Sequence, residues 1–429
     1  MKQHLKAELW DKTQYFLSNF YDRMMHYAML YEGNLNLEIM RDAVKYIVDR
    51  VPTLHSQYIT SFIKPYWNVR EDYTKEELVS EETVEDLDKA VREFLLGEIH
   101  HLDKLQIRAK IFKCGSKCAY ACIINHQCFD GSDFKYVQYK IVEAYNALIK
   151  TGSCENVEVK QGRRDFKQLY ERMEPNAAKR AKTLYNNASK MGLKKPFKFT
   201  DDADVSKRFI IKMIDAETFN KMKAKGKAVG ATINDVLLTA FFRAYVKEAG
   251  LEKTDTVGIT SMMDLRRHFA DKKSSEGCTN MTAFMPCKLD GIGESFKDTL
   301  DKVLANNNKQ KEDDCVGLYG IPLLALGYKL FVLDGLATFV IKLGYENPLV
   351  QMSNLGIVKH EDVDFEGCKV YDAYITGAVK YKPYMQLTCL SLDGQMKLCI
   401  AERCSDKDEK LVLDFLDDII KEIKQFGEE

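Results

Sequence analysis

The chain has 429 residues, of which 45% are hydrophobic and 30% are charged, and a single core seldom grows far beyond about 250 residues, so two domains are predicted. The low content of proline (8) and glycine (24) argues against a linker-rich or disordered protein. With 63 basic against 64 acidic residues, the chain lacks the broad positive field that binds a phosphate backbone, and we expect no nucleic acid partner.

The N-terminal half predicts helices and a buried strand. A stripe of apolar residues predicts an amphipathic helix over residues 37–50, which Pro52 ends, and a second helix is predicted near residues 82–96. Residues 119–124 are apolar at every position, which is typical of a strand buried on both faces. After a short loop, Ser132 is the predicted N-cap of a helix of about 18 residues. His126 is therefore predicted at the end of a buried strand, where catalytic groups often lie.

The second half mixes strands and helices. Residues 151–200 are polar and basic, so we predict a domain over residues 1–175, a linker over 176–204 and a second domain over 205–429. Strands are predicted over 208–214 and near 256–261, 282–289, 349–353, 370–375, 386–392 and 396–401, with helices over 234–248 and 406–424. Their irregular order indicates an α/β or α+β arrangement of layers in both halves.

Two features could be mistaken for other classes of protein. Residues 320–343 are strongly apolar, but Lys329, Asp334 and Lys342 interrupt them, which favours buried helices over a transmembrane segment. The twelve cysteines form no CxxC pair, and the first ten residues contain no apolar signal-peptide core. We therefore expect reduced thiols, a cytoplasmic location and no metal site.

The strongest local motif is residues 125–131, NHQCFDG. A histidine suits general base catalysis because its ordinary pKa of about 6.5 leaves it neutral at physiological pH. Asp130 can brace the loop by pairing with a cation, and Gly131 allows a backbone conformation or a close approach that a side chain would block. A histidine and an aspartate four residues apart also occur often by chance, and a strand-end histidine is usually a buried, hydrogen-bonded residue.

Residues 126–131 resemble the HxxxDG motif of the superfamily that includes chloramphenicol acetyltransferase, peptide-synthetase condensation domains, wax ester synthases and plant BAHD acyltransferases. Further segments resemble that superfamily in matching order. They are residues 37–56 (LEIMRDAVKYIVDRVPTLHS), 231–245 (ATINDVLLTAFFRAY), 259–266 (ITSMMDLR), 352–356 (MSNLG) and 390–400 (LSLDGQMKLCI). One departure is Asn125, which stands where condensation domains often have a first histidine.

The resemblance implies two chloramphenicol acetyltransferase-like domains with the active-site channel between them. It implies that His126 is the general base and that Asp130 forms a salt bridge with Arg266, for which Arg267 is the alternative. Ser353 or Asn354 is expected to bind the developing oxyanion, unless they only shape a turn.

Three further expectations concern the site and its ligands. Asn125 is a candidate substrate-binding residue because it belongs to the motif. No cofactor is expected to stay bound, since acyl-coenzyme A or a phosphopantetheine thioester would act as co-substrate. Two lysine clusters are candidates for binding coenzyme A phosphates, although charge runs are usually solvated surface: Lys221, Lys223, Lys225 and Lys227, or Lys194, Lys195 and Lys198.

The leading functional hypothesis is an acyltransferase that moves an acyl group from coenzyme A to an alcohol. A condensation-type enzyme, with a carrier-protein donor and an amine acceptor, is the first alternative. A non-catalytic member of the fold is the second.

Overall fold

A computed structural model describes residues 4–61, 64–185, 195–330 and 347–428. The strands are β1 His4–Lys6, β2 Met24–Glu32, β3 Ser56–Ile59, β4 Tyr66–Val69, β5 Val79–Thr83, β6 Ile107–Cys114, β7 Lys117–Asn125, β8 Ser206–Ile214, β9 Thr256–Asp264, β10 Thr282–Asp290, β11 Val350–Ile357, β12 Lys369–Thr376, β13 Lys380–Tyr381, β14 Met385–Leu392 and β15 Gln395–Cys404. The α-helices are α1 Leu9–Phe16, α2 Leu37–Val48, α3 Lys75–Leu78, α4 Leu87–Leu95, α5 Gly131–Thr151, α6 Lys167–Arg172, α7 Pro175–Ala181, α8 Ala216–Ala228, α9 Ile233–Glu248, α10 Phe296–Lys311, α11 Ile321–Leu330, α12 His360–Val363 and α13 Asp406–Glu428.

The N-terminal half is built on a five-stranded sheet with the order β12-β2-β7-β6-β5. Helices α2 and α5 pack together over one face, where their apolar stripes meet the aromatic side chains of β2 and β7. The other face packs against α4 and against side chains from β8 and β15. Strand β7 is therefore buried on both faces, as its continuous apolar sequence predicted.

The C-terminal half is built on a seven-stranded sheet with the order β10-β9-β11-β14-β15-β13, in which β8 also pairs with β15. Helices α8, α9, α10 and α13 cover one face of this sheet and form its main hydrophobic core. A smaller three-stranded sheet, β1-β4-β3, lies in the N-terminal half. The predicted mixed α/β architecture in both halves is confirmed.

The chain crosses the predicted domain limits twice. Strand β12 comes from the second half, but it pairs antiparallel with β2 over residues 26–32 and so becomes an edge of the N-terminal sheet. Helices α6 and α7 pack instead against the second half, where Leu169 and Ala178 share a cluster with Leu265 and Phe269. Helix α7 also occupies the start of the predicted linker.

Helix α5 differs from its prediction at the N-terminus. Asp130, not Ser132, is the N-cap, and the helix has 21 residues instead of about 18. The side chain of Asp130 accepts hydrogen bonds from the backbone amides of Ser132 and Asp133. An aspartate is as good an N-cap as a serine, so Asp130 starts the helix two residues before the predicted cap.

The apolar stretch at residues 320–343 is described only in part. Helix α11 covers Ile321–Leu330, so the predicted helix is present, but it is not buried as expected, because Leu323 and Leu326 are exposed; residues 331–343 lie outside the described residues. Within the described ranges, no helix is long and apolar enough to cross a membrane.

Candidate active site

His126 follows the last residue of β7. Its backbone amide donates to the carbonyl of Arg23 at 2.8 Å, which fixes the start of the loop. Its side-chain Nδ1 lies 3.0 Å from the carbonyl oxygen of Phe129. A carbonyl can only accept, so Nδ1 carries the proton, and Nε2 is left with the lone pair that a general base needs.

The surroundings of His126 keep its imidazole neutral. Burial lowers the pKa of His126 below its ordinary value, because an imidazolium loses its hydration there, and the positive charge of Lys380 acts in the same direction. Its own backbone, the charge of Asp130 and the carbonyl of Phe129 act in the opposite direction without reversing the shift. The group is thus unprotonated and able to accept a proton at neutral pH.

A cavity of about 310 Å³ lies between the two halves, and His126 is on its wall. The N-terminal half contributes α1, the segment before β2, and the start of α5. The C-terminal half contributes residues of β9 to β12 and β14, together with Lys380 of β13. The cavity is therefore lined by side chains from both halves around the histidine.

Asp130 makes two sets of contacts with its two carboxylate oxygens. Oδ1 caps α5, and Oδ2 accepts from the backbone amide of Met281 and from the guanidinium of Arg266, both at 2.7 Å. Burial by itself raises the pKa of Asp130. The charge and the hydrogen bond of Arg266 lower it, and the net pKa is below its ordinary value, so the carboxylate stays ionised. The pair expected from the resemblance is thus present, while the alternative partner, Arg267, is exposed.

Arg266 connects the two halves through more contacts than the sequence predicted. It also pairs with Asp133 at 2.7 Å and with Asp264 at 3.0 Å, and it donates to the carbonyl of Thr279. Lys160 contacts the other oxygen of Asp133 at 2.7 Å. We call Asp130, Asp133, Arg266 and Lys160 the brace, because their side chains join the start of α5 to the segments before β10.

Sequence reasoning missed Asp133 and Lys160. A signal for Asp133 was available, because it lies one helical turn after Asp130 and residues three apart share a helix face. Lys160 had no such signal, since it lies in an irregular segment more than twenty residues beyond the motif.

The expectation for Gly131 needs correction. Its backbone is not among those with positive φ, and a Cβ atom there would meet only a side-chain carbon of Leu355 at 3.9 Å, an ordinary contact. Gly131 lines the cavity beside His126, however, so a larger side chain would occupy space next to the histidine.

Ser353 and Asn354 both lie on the cavity wall in the middle of β11. The amide nitrogen of Asn354 donates to Asn234 at 2.5 Å, and its oxygen accepts from the backbone of Gly356 at 2.8 Å. Asn354 therefore holds the irregular part of the strand between residues 354 and 357, rather than a turn as one of the two sequence interpretations held. Ser353 is the better placed of the two to donate a hydrogen bond into the cavity.

Asn125 does not line the cavity, contrary to its assignment as a substrate-binding residue. It is fully buried, donates to the side chain of Gln106 at 2.9 Å and accepts from the backbone amide of Gln127 at 3.0 Å. The reason is its position on β7: it is the last residue of the strand, and its side chain holds the neighbouring loops together.

The described residues of the two lysine clusters do not lie on the cavity wall. In the first, Lys221 pairs with Glu217 on the outer helix α8, and Lys225 lies over the ring of Phe426. In the second, Lys195 pairs with Asp255, whereas Lys194 lies outside the described residues. Among the residues that the structure describes, the cationic side chains that reach the cavity are Lys135 and Lys380, which the sequence did not single out.

By sequence, the chain matches no family model and no curated protein. Solved structures resemble it over almost its whole length. A trichothecene 15-O-acetyltransferase from Fusarium sporotrichioides is 11% identical, with a TM-score of 0.73 and 99% of this chain and 95% of that chain covered. Polyketide synthase associated protein 5 from Mycobacterium tuberculosis is 12% identical, with a TM-score of 0.71 and coverage of 100% and 98%.

A third match is the first condensation domain of the calcium-dependent antibiotic synthetase, solved with a substrate analogue. It is 12% identical, with a TM-score of 0.73 and coverage of 99% of this chain and 96% of that chain. The epimerization domain of a tyrocidine synthetase module also matches, at a TM-score of 0.68. The chain therefore has the two-domain fold shared by condensation domains and chloramphenicol acetyltransferase-like enzymes, as the resemblance implied, and this fold hosts more than one activity.

Proposed function

We propose that the protein is an acyltransferase in which His126 Nε2 is the general base and an acyl-coenzyme A thioester is the donor to an alcohol. The observation that carries the proposal is a neutral imidazole on the wall of a cavity between the halves, with its other nitrogen held by the Phe129 carbonyl. The fold supports the reaction class, because both O-acetyltransferases and condensation domains share it.

In this mechanism the acyl group passes directly from the thioester to the acceptor, without a covalent enzyme intermediate. Nε2 takes the proton of the acceptor hydroxyl while its oxygen forms a bond to the thioester carbonyl carbon. In this proposal the Ser353 hydroxyl donates a hydrogen bond to the resulting oxyanion, which its position on the cavity wall supports. The carbon–sulfur bond then breaks, and the imidazolium returns the proton to the leaving thiolate.

The brace has a positioning role in this scheme. Its charges are buried and paired with one another, so they are not available to the substrate. They hold the first turn of α5, which ends the loop that carries His126. Catalysis requires the base and the reacting atoms to be held in the correct geometry, so fixing the orientation of His126 contributes much of the rate enhancement.

The second candidate is condensation with an acylated carrier protein and an amine acceptor. Matches to condensation domains favour it, and the same base would serve an amine as well as an alcohol. The acyl donor distinguishes the two proposals. Free acyl-coenzyme A should support turnover under the first, whereas only the carrier-bound thioester should support it under the second.

The test is to incubate the purified protein with acyl-coenzyme A donors and with acylated carrier protein, in each case with mixed alcohols and amines. Thiol release and product masses are recorded. We expect His126→Ala to lower kcat/KM by about 100-fold to 10,000-fold, which is the usual contribution of a general base. Replacement of His360, which pairs with Asp364 and Asp393 on the surface, is the matched control and should leave turnover unchanged. Unchanged turnover by His126→Ala would contradict the mechanism.

A further inference from the structure

Lys380 is a buried cation that the proposed mechanism does not use. Its side chain is 5% exposed and lines the cavity. The ammonium lies 3.9 Å from the centre of the Tyr21 ring. Among the residues that the structure describes, it forms no ion pair.

The backbone places Lys380 close to the histidine. Lys380 forms a β-bridge with Tyr21, and two residues later the carbonyl of Arg23 accepts from the backbone amide of His126. The segment 21–23 thus lies between the two functional side chains. The positive charge of Lys380 is near enough to contribute to the lowered pKa of His126.

Neither of the two carboxylates that act on Lys380, Asp22 and Glu402, forms an ion pair with it, although the charges of both favour its ammonium form. Asp22 already pairs with Lys207 at 2.7 Å and accepts from the backbone amide of Val379. Glu402 is the neighbour of Lys380 across β13 and β15 and is fully buried, but neither of its oxygens has a hydrogen-bond partner. Burial raises the pKa of Glu402 well above its usual range, while the positive charge of Lys380 acts in the opposite direction.

A buried cation without an ion pair is costly to a folded protein, and a bound anion would supply the missing partner. Burial lowers the pKa of Lys380 to about 8, against the raising effect of the charges of Glu402 and Asp22, so most of the ammonium stays charged at pH 7. Lys135, the other lysine on the cavity wall, already donates to the carbonyl of Leu355 at 2.6 Å.

We propose that Lys380 binds a carboxylate of the substrate, so that the molecule positioned beside His126 is acidic. The carboxylate belongs either to the acyl group, as in a dicarboxylic thioester, or to the acceptor, as in a hydroxy acid. This inference rests on the proposed function for the reaction, but it concerns binding and can be tested without turnover.

The experiment measures binding by calorimetry in the His126→Ala background, which removes the base and leaves Lys380 in place. One pair of ligands is succinyl-coenzyme A and butyryl-coenzyme A. The other is 4-hydroxybutyrate and its amide. Each pair differs in a single charge, so a preference for the acidic member identifies which substrate carries the carboxylate.

We expect one acidic ligand to bind about 10-fold to 100-fold more tightly than its neutral partner, as for a charge-assisted hydrogen bond. Lys380→Met should abolish this preference without weakening the neutral ligand, and Lys380→Arg should retain it at least in part. Lys380→Met should also melt at or above the wild-type temperature, because it removes a buried charge. Lys380→Gln provides a second neutral variant if Lys380→Met does not fold.

Lys135→Met is the matched control, since it removes the other positive charge from the same cavity. The proposal is overturned if neither acidic ligand is preferred, if the preference survives in both neutral variants of Lys380, or if only Lys135→Met removes it. A protein without turnover that still binds the acidic ligand through Lys380 would contradict the proposed function alone.

Discussion

Two groups of buried charged residues meet at this cavity, and they differ in how their charges are compensated. In the brace, the guanidinium of Arg266 is surrounded by Asp130, Asp133 and Asp264, and Lys160 supports Asp133 from the other side. On the opposite wall, Lys380 has no ion pair among the described residues, and the oxygens of Glu402 have no hydrogen bond. The contrast teaches that the first group maintains the structure, whereas the second is complete only with a ligand.

The largest expected difference between the two groups is in how much a substitution lowers the free energy of unfolding. Arg266→Met would leave Asp130 and Asp133 buried with one cation fewer, which typically costs about 3–5 kcal/mol in the free energy of unfolding. Urea unfolding of the full chain measures it. The matched control is Arg70→Met, because Arg70 pairs with Asp72 on the surface, and we expect no measurable change. Equal unfolding of the two variants would show that the brace does not stabilise the fold.

A smaller effect is expected at Glu402. Its folded pKa is raised above the unfolded value of about 4.5, so wild-type stability is fully present below that pH and is lost as pH rises toward the folded pKa. Glu402→Gln removes this loss. The free energy of unfolding of the variant, relative to that of the wild type, should rise between pH 5 and pH 8 by at most about 1.4 kcal/mol per pH unit. Urea unfolding at several pH values measures it.

The control for that measurement is Glu93→Gln. Glu93 is exposed on α4, so its replacement should leave the free energy of unfolding nearly unchanged. A constant difference for Glu402→Gln as well would mean that the Glu402 carboxylate is compensated in the folded protein.

The smallest effect is on the pH dependence of catalysis. Because the pKa of His126 is lowered from 6.5, its imidazole stays neutral further into the acid range. The acid limb of kcat/KM should therefore have its midpoint below pH 6.5, with activity lost as pH falls through it. Lys380→Met should move the midpoint upward, since it removes a positive charge near the imidazole. A midpoint at or above 6.5 in the wild type would contradict the description of the site.

The sequence predicted those parts of the site that depend on local order along the chain. The apolar run of β7, the loop and α5 place His126 and Asp130 by local rules alone, and the ordered segments of the resemblance supplied Arg266 as the partner. Lys380 could not be found in this way. It becomes a neighbour of His126 only because β13 pairs beside Tyr21, which is a tertiary contact between residues about 360 positions apart.

Asn125 shows that closeness in sequence to a functional residue can also mislead. Its place next to the histidine suggested a contact with substrate, yet successive residues of an extended strand point to opposite sides. Its side chain accordingly turns away from the cavity and bonds to Gln106. Sequence adjacency to a functional residue is therefore no guide to orientation at a strand end.

The crossing of β12 makes the two halves inseparable as pieces of polypeptide. A fragment that ended near residue 175 would keep β2 but lose the strand that covers its outer side, and the seven residues of β2 that pair with β12 would lie at an open sheet edge. The same strand leads directly into Gly377 and Lys380 at the cavity wall. This part of the cavity wall is thus continuous in the chain with a strand of the N-terminal sheet. A movement that separated the halves would therefore strain the hydrogen bonds of that sheet.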